Sequence, residues 1–140
     1  GQGLLDRARE LQLDRPGLTV VYPAVSPAFH PLTEEARQGV RRSLGITESR
    51  LIVNVKRLHE LAGQAYLIQA MPAVLQAHPD TRLVICGTGG LKATLEAQAR
   101  SLDVAERVTF AGLVPNDEVA RYVAAADVFG LPSRLEALPT

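Results

Sequence analysis

Four short stretches of this chain are apolar at nearly every position. Leu51-Ile52-Val53-Asn54-Val55 and Leu83-Val84-Ile85-Cys86 are the clearest; Val108-Thr109-Phe110 and Asp127-Val128-Phe129-Gly130-Leu131 are shorter versions. None alternates apolar with polar residues, as a strand with one wet face would. Strands that are apolar on both faces belong in parallel sheets covered on both sides. Helical patterns lie between them. Leu67, Ile68, Met71, Val74 and Leu75 share one face, and Pro72 is expected to kink or divide that helix. Leu91, Leu95, Ala99 and Leu102 share a second face. Val119, Tyr122, Val123 and Ala126 share a third, with Asn116 expected as the N-cap. Strand and helix repeat every 20 to 30 residues, roughly, which reads as successive βαβ units with right-handed crossovers. Residues 46–140 are therefore expected to form a doubly wound parallel α/β domain.

The preceding 45 residues read differently. Leu4, Leu5, Ala8 and Leu11 share a helical face, and Pro16-Gly17 ends that helix. Leu18-Thr19-Val20-Val21-Tyr22 reads as a short strand. Pro23, Pro27 and Pro31 make the next stretch an extended, stiff connector. Thr33 is expected to cap a helix with Glu34 and Glu35 in its first turn, where the helix dipole favours anions. Ala36, Val40 and Leu44 lie on one face of it, and Gly45 stops it. Residues 1–45 thus read as a linker segment carrying a helix and a short strand.

Composition narrows the class. A length of 140 residues fits one domain. With 46% apolar and 21% charged residues, the chain is neither disordered nor fibrous. Fifteen Lys and Arg balance fifteen Asp and Glu, so no nucleic-acid partner is expected. The single cysteine, Cys86, excludes an internal disulfide and a cysteine-rich zinc site. His30, His59 and His78 show no ligand spacing, so no metal is expected. No apolar run approaches the length of a membrane span, and the first residues carry no signal-peptide pattern. A cytoplasmic location is expected, with a longer parent free to lie peripherally at a membrane. The missing initial Met and the abrupt Leu138-Pro139-Thr140 read as cut ends.

In doubly wound sheets ligands bind at the carboxyl ends of the strands, near the switch in strand order. The first strand is followed by Lys56-Arg57, with Gly63 at the start of the next helix. Arg57 stands where a guanidinium fork can clamp a phosphate, near helix N–H groups that favour anions. A merely solvated arginine is the plainer alternative. The second strand leads into Gly87-Thr88-Gly89-Gly90. These glycines allow a tight turn and close backbone approach to a ligand. Lys92 replaces the third glycine of the dinucleotide fingerprint, and the Gly-Lys-Ser/Thr of a phosphate loop is absent. Turn geometry alone also explains them. The third strand leads into apolar Ala111-Gly112-Leu113-Val114-Pro115, which could lie against a base or simply lead into a helix. The fourth leads into Pro132-Ser133-Arg134-Leu135-Glu136, where Glu136 could accept ligand hydroxyls or face solvent.

Taken in order, these exits resemble the C-terminal domain of group-1 glycosyltransferases, retaining enzymes of GT-B fold. The matching runs are Val53 through Gly63, Leu83 through Gly89, Arg107 through Pro115, and Ala125 through Ala137. Val20-Val21-Tyr22-Pro23-Ala24-Val25, with Phe29 and Pro31, is similar to the family's hinge. The resemblance implies a Rossmann-like half of a two-domain enzyme, incomplete at its C-terminus. It implies a nucleoside-diphosphate sugar as donor, UDP- or GDP-linked, and no resident cofactor. The acceptor, a glycan, lipid or small molecule, would be held by an N-terminal domain. Arg57 then corresponds to the arginine on the donor diphosphate, and Val114 to the loop position whose backbone meets the base. Glu136 corresponds to the first glutamate of Glu-x7-Glu, which contacts sugar hydroxyls. Gly87, Gly89 and Ser133 complete the implied donor site, with Arg57 and Glu136 as its catalytic residues.

The chain departs from the family pattern in three places. Lys56-Arg57 replaces Gly-Arg. Ala62-Gly63 replaces Lys-Gly, removing the second diphosphate cation, and Lys56 points to the opposite face from Arg57. The second glutamate would fall beyond Thr140, and Ala137-Leu138-Pro139 replaces the glycines after the first. The isolated chain is accordingly expected to be inactive. Ala62 leaves open a rival reading, a degenerate module kept for nucleotide binding or protein interaction. A sugar-nucleotide epimerase shares the fold, but its histidine and acidic constellation is absent. An open sheet edge would also invite pairing with a second copy.

Overall fold

The computed structural model describes residues 2–12 and 26–135. They belong to two units, one of Gly1–Pro27 with Glu136–Thr140 and one of Ala28–Leu135. In the first, the expected leading helix is present as α1 (Gln2–Glu10). Exposed Arg7–Glu10 and Arg9–Asp6 pairs, at 2.7 and 3.3 Å, brace its surface. The strand expected at 18–22, the hinge-like run to Val25, and Glu136 lie outside the described residues.

The second unit holds a four-stranded parallel sheet: β1 (Arg50–Val55), β2 (Thr81–Cys86), β3 (Val108–Gly112) and β4 (Val128–Phe129). The helices are α2 (Glu34–Ser43), α3 (Gln64–Ala77), α4 (Lys92–Ser101) and α5 (Asn116–Ala125). The strand order is β3-β2-β1-β4. The chain winds outward from β1 to β3, then returns to lay β4 on the far side of β1. The reversal puts the switch point at the carboxyl ends of β1 and β4.

Residue parity explains why these strands carry no polar face. Leu83 and Ile85 join Ile68, Met71 and Leu95 in one apolar layer. Val84 and Cys86 join Leu51, Val53 and Ala125 in the other. Both faces of β2 are thus buried. Burying a side chain such as Ile68 or Leu83 contributes roughly 2 kcal/mol, so each layer must be supplied from sequence.

Thr33 caps α2 as expected, its hydroxyl accepting from the Ala36 N–H at 3.3 Å, and Gly45 follows in the left-handed region at φ 68°. Val40 and Leu44, on the expected apolar face, pack partly buried against the second layer. The buried residue of α2 is Arg41, 1% exposed. Arg41 donates to the Ala125 carbonyl (2.9 Å), the Ser49 carbonyl (2.8 Å) and Asp127 Oδ2 (2.7 Å). Asp127 also accepts from the Leu51 N–H and from Arg37. Helix α2 therefore packs with the sheet inside the compact unit Ala28–Leu135.

Three further details differ from expectation. Asn116 is not the cap of α5: Pro115 takes that position, and its carbonyl accepts from the Glu118 and Val119 N–H groups. The fixed φ of proline, −57° here, already suits a helix start. Pro72 does not divide α3, which runs unbroken through it. Strand β3 extends two residues past Phe110, because a bulge beside Ile85 and Cys86 lets Gly112 pair with Cys86.

Candidate functional site at the carboxyl ends of the strands

The exits of β1, β2 and β3 are tied to one another by backbone hydrogen bonds. Lys56 donates to the Cys86 carbonyl (3.0 Å), Leu58 to Thr88 (3.0 Å) and Gly87 to Gly112 (2.7 Å). So close a union admits no side chain at Gly87 or Gly89. A Cβ on Gly87, at φ 144°, would lie 2.1 Å from the Lys56 carbonyl oxygen. One on Gly89 would lie 2.2 Å from that of Leu58. Both are below any real contact. The glycines that the sequence offers as possible ligand contacts are thus required first to let two loops dock.

The docked loops enclose a cleft of about 440 Å³. Arg57, Gly87, Thr88, Gly89, Leu113 and Val114 line it, with Val55, Cys86, Asn116 and Val119. Four of the six positions predicted for the donor site, Arg57, Gly87, Gly89 and Val114, come together here. Lys56 is not on the lining, in keeping with strand parity. Ser133 is not on it either. It follows β4 on a loop held to the β1 exit by the Arg134 N–H, which donates to the Leu61 carbonyl at 2.8 Å. Its Oγ is buried without a hydrogen-bond partner among the described residues. Larger hollows of about 590 and 530 Å³ lie at the amino ends of the strands. They lack the converging loops and backbone N–H groups that ligand sites of such sheets use.

The electrostatics of the cleft centre on Arg57. Its side chain is exposed, and among the described residues its guanidinium has no carboxylate or carbonyl partner. The helices entered from β1 and β2, α3 and α4, have no acidic residue in their first turns and no side-chain cap. Their leading N–H groups are not neutralised. By contrast α2 carries Glu34 and Glu35, and α5 carries Asp117 and Glu118. Cys86 forms part of the apolar floor, where burial pushes its thiol up to about 11. It is therefore a packing residue, not a nucleophile. Ala62, where the family pattern has a second cation, is buried at 4% exposure in a short 3₁₀ turn (Glu60–Ala62). His59 caps that turn, its Nδ1 accepting from the Leu61 N–H at 3.3 Å.

Sequence reasoning missed the polar side chains beneath these loops. Asn54, fully buried in β1, donates to the Gly130 carbonyl at 2.8 Å. Gln64, 1% exposed at the start of α3, reaches back to the carbonyls of Lys56 and Arg57. Gln64 lies just past the family-like run Val53 through Gly63, and Asn54 lies within it without a role assigned to it. Asn54 sits inside an apolar run and reads there as a blemish. Among the described residues no group of three or more His, Cys, Asp and Glu is placed to hold a metal ion. None of their helices is long and apolar enough to cross a membrane.

A parallel sheet of this order, with glycine-bound strand exits around a lone arginine, defines a Rossmann-like α/β domain of the GT-B type. The chain belongs to the family described as glycosyl transferases group 1, which it matches over residues 37–140. One relative is a GDP-mannose-dependent monoacylated α-(1-6)-phosphatidylinositol monomannoside mannosyltransferase of Corynebacterium glutamicum. It is 37% identical over 107 residues, covering 76% of this chain and 28% of that protein. Another is a D-inositol 3-phosphate glycosyltransferase of Corynebacterium urealyticum, 35% identical over 128 residues, covering 85% and 30%. Among solved structures, WaaG, a glycosyltransferase involved in lipopolysaccharide biosynthesis, matches with TM-score 0.79 and 25% identity. The match covers 96% of this chain and 36% of that one. The chain thus spans less than a third of the length of these two curated relatives.

Proposed function

We propose that this chain is the donor-binding portion of a glycosyltransferase that moves a sugar, with retention, from a nucleoside-diphosphate sugar to an acceptor held elsewhere in a longer protein. The observation that carries the reading is the Arg57 guanidinium, without a partner among the described residues, on a glycine-walled cleft. Glycosyl transfer expels a nucleoside diphosphate, and a fixed cation stabilises the charge that develops on it. The backbone that presents Arg57 is bonded to its neighbours on both sides, which fixes where its side chain starts. Val114 and Leu113 offer an apolar rim on which a base can lie. Relatives named for GDP-mannose support the donor class. So does a fold neighbour, Anabaena HepE, whose complex with UDP-glucose matches with TM-score 0.68.

The chain by itself does not turn over in this reading, because the acceptor is held outside it and Ala62 supplies no second cation. The buried Ala62 also favours a second reading, a nucleotide-binding module without catalysis. Calorimetry with UDP and GDP tests both. Weak binding that tightens in Ala62→Lys, with folding verified by thermal denaturation, supports a donor site lacking one cation. Binding that does not tighten favours the module. Release of UDP or GDP from a panel of nucleotide sugars by this chain would overturn the expected inactivity. No binding by any variant overturns the donor-site reading.

A further inference from the structure

We propose that Gln64 is a positioning residue for Arg57, acting through the backbone of the loop that presents it. The inference deepens the donor-site reading and rests on it. Arg57 follows β1 on a loop that returns to the sheet at α3. Its neighbours are fixed from the β2 side, through Lys56 N–H to Cys86 and Leu58 N–H to Thr88. The Lys56 carbonyl lies beside Gly87 at the β2 exit, and the Arg57 carbonyl is the next along the loop. Gln64 Nε2 donates to both, at 3.4 Å and 3.1 Å. One buried carboxamide therefore closes the loop seven residues after Arg57.

The orientation of that carboxamide is fixed by chemistry. Turning it over would bring Oε1 against two carbonyl oxygens, so the nitrogen must face the loop. Oε1 is left buried without a hydrogen-bond partner among the described residues. Leaving a buried acceptor unmet is costly, and an apolar residue of the same shape would fold more comfortably here. A glutamine retained at 1% exposure, half satisfied and bonded to the arginine's own carbonyl, is explained by what it does to the loop. Gly63 supports the same hold. It begins α3 at φ 74°, and its Cα lies so close to the β4 exit that a Cβ would sit 2.1 Å from the Pro132 carbonyl oxygen. The base of the glutamine is therefore pinned while its tip holds the arginine's carbonyl.

The test is a double-mutant cycle of Gln64→Met and Arg57→Ala. Affinity for UDP and GDP is compared with that for uridine and guanosine. Amide hydrogen exchange is followed at Arg57 and Leu58. Gln64→Met is expected to weaken the diphosphates by about five- to tenfold, the size of one hydrogen bond. It should leave the nucleosides unchanged and speed exchange at both amides. In the Arg57→Ala background the same change should have no effect on affinity, because the group being positioned is gone. Equal weakening in both backgrounds, or equal weakening of nucleosides and diphosphates, would assign Gln64 a purely structural role. If Arg57→Ala leaves diphosphate affinity intact, the donor-site reading itself fails. If no nucleotide binds at all, the exchange rates still decide: unchanged protection at Arg57 and Leu58 overturns the positioning role.

Discussion

The two ends of the parallel sheet are built on opposite principles. At the amino ends, the carboxylates of Glu48, Asp127 and Asp80 are paired or bonded to backbone. Glu48, 5% exposed, is bonded to Arg82 and lies 3.4 Å from Arg107. Asp127 holds Arg37, Arg41 and the Leu51 N–H, and Asp80 accepts from the Ser49 N–H at 2.8 Å. At the carboxyl ends, buried carboxamides bond to loop carbonyls, glycines let the loops dock, and the guanidinium of Arg57 has no partner among the described residues. The contrast teaches where this domain is made stable and where it is left available.

The sharpest way to break that comparison is at Asp127. Asp127→Ala leaves Arg41 as a buried cation without its counter-charge, a loss of roughly 3–5 kcal/mol. Urea denaturation should show it as a lowered midpoint, with nucleotide affinity unchanged in the folded fraction. Loss of affinity without loss of stability would erase the division between the ends. Gly87→Ala should be the exception that damages both properties. A methyl group 2.1 Å from the Lys56 carbonyl forces two strand exits apart. The expected cost is about 2–4 kcal/mol, with Arg57 displaced and diphosphate binding weakened.

Acid gives a third test. The hydrogen bond from Arg82, aided by the Glu48 and Thr47 backbone, outweighs burial and holds the Glu48 carboxyl down to about 2, from an ordinary 4.5. A carboxyl depressed on folding stabilises the native state above its unfolded value. That contribution, on the order of 3 kcal/mol, is present above pH 4.5 and is lost as pH falls toward 2. Arg82→Met should flatten this acid limb in pH-dependent thermal denaturation. A limb unchanged by Arg82→Met would place the titrating group elsewhere.

Much of the frame is legible in the sequence because parallel strands leave a direct trace. A run such as Leu83-Val84-Ile85-Cys86 has no polar position, so by itself it implies cover on both faces. The Thr33 cap and the Gly45 stop are equally local. What is not legible depends on partners distant in sequence. Arg41 looks like one more surface charge on a basic helix, and its burial follows only from Asp127, 86 residues on. The roles of Gln64 and Asn54 are not legible, because each bonds to backbone, which any sequence supplies. Arg57, Gly87, Gly89 and Val114 stand out by their places after strands, and the fold brings them around one cleft. It also gives the glycines a prior duty, loop docking, that spacing alone does not reveal. Asn116 suits a cap by residue type, yet Pro115, one residue earlier, occupies the position.

Under the donor-site proposal Arg57 is a cation reserved for a ligand. The direct measurement pairs urea denaturation with diphosphate calorimetry on Arg57→Ala. Stability should stay within about 0.5 kcal/mol of the parent, since the side chain removed is exposed and has no partner among the described residues. Affinity for UDP or GDP should fall about tenfold or more, the loss of a charge-assisted contact. Unchanged affinity, or a stability loss approaching that of Asp127→Ala, would contradict the proposal.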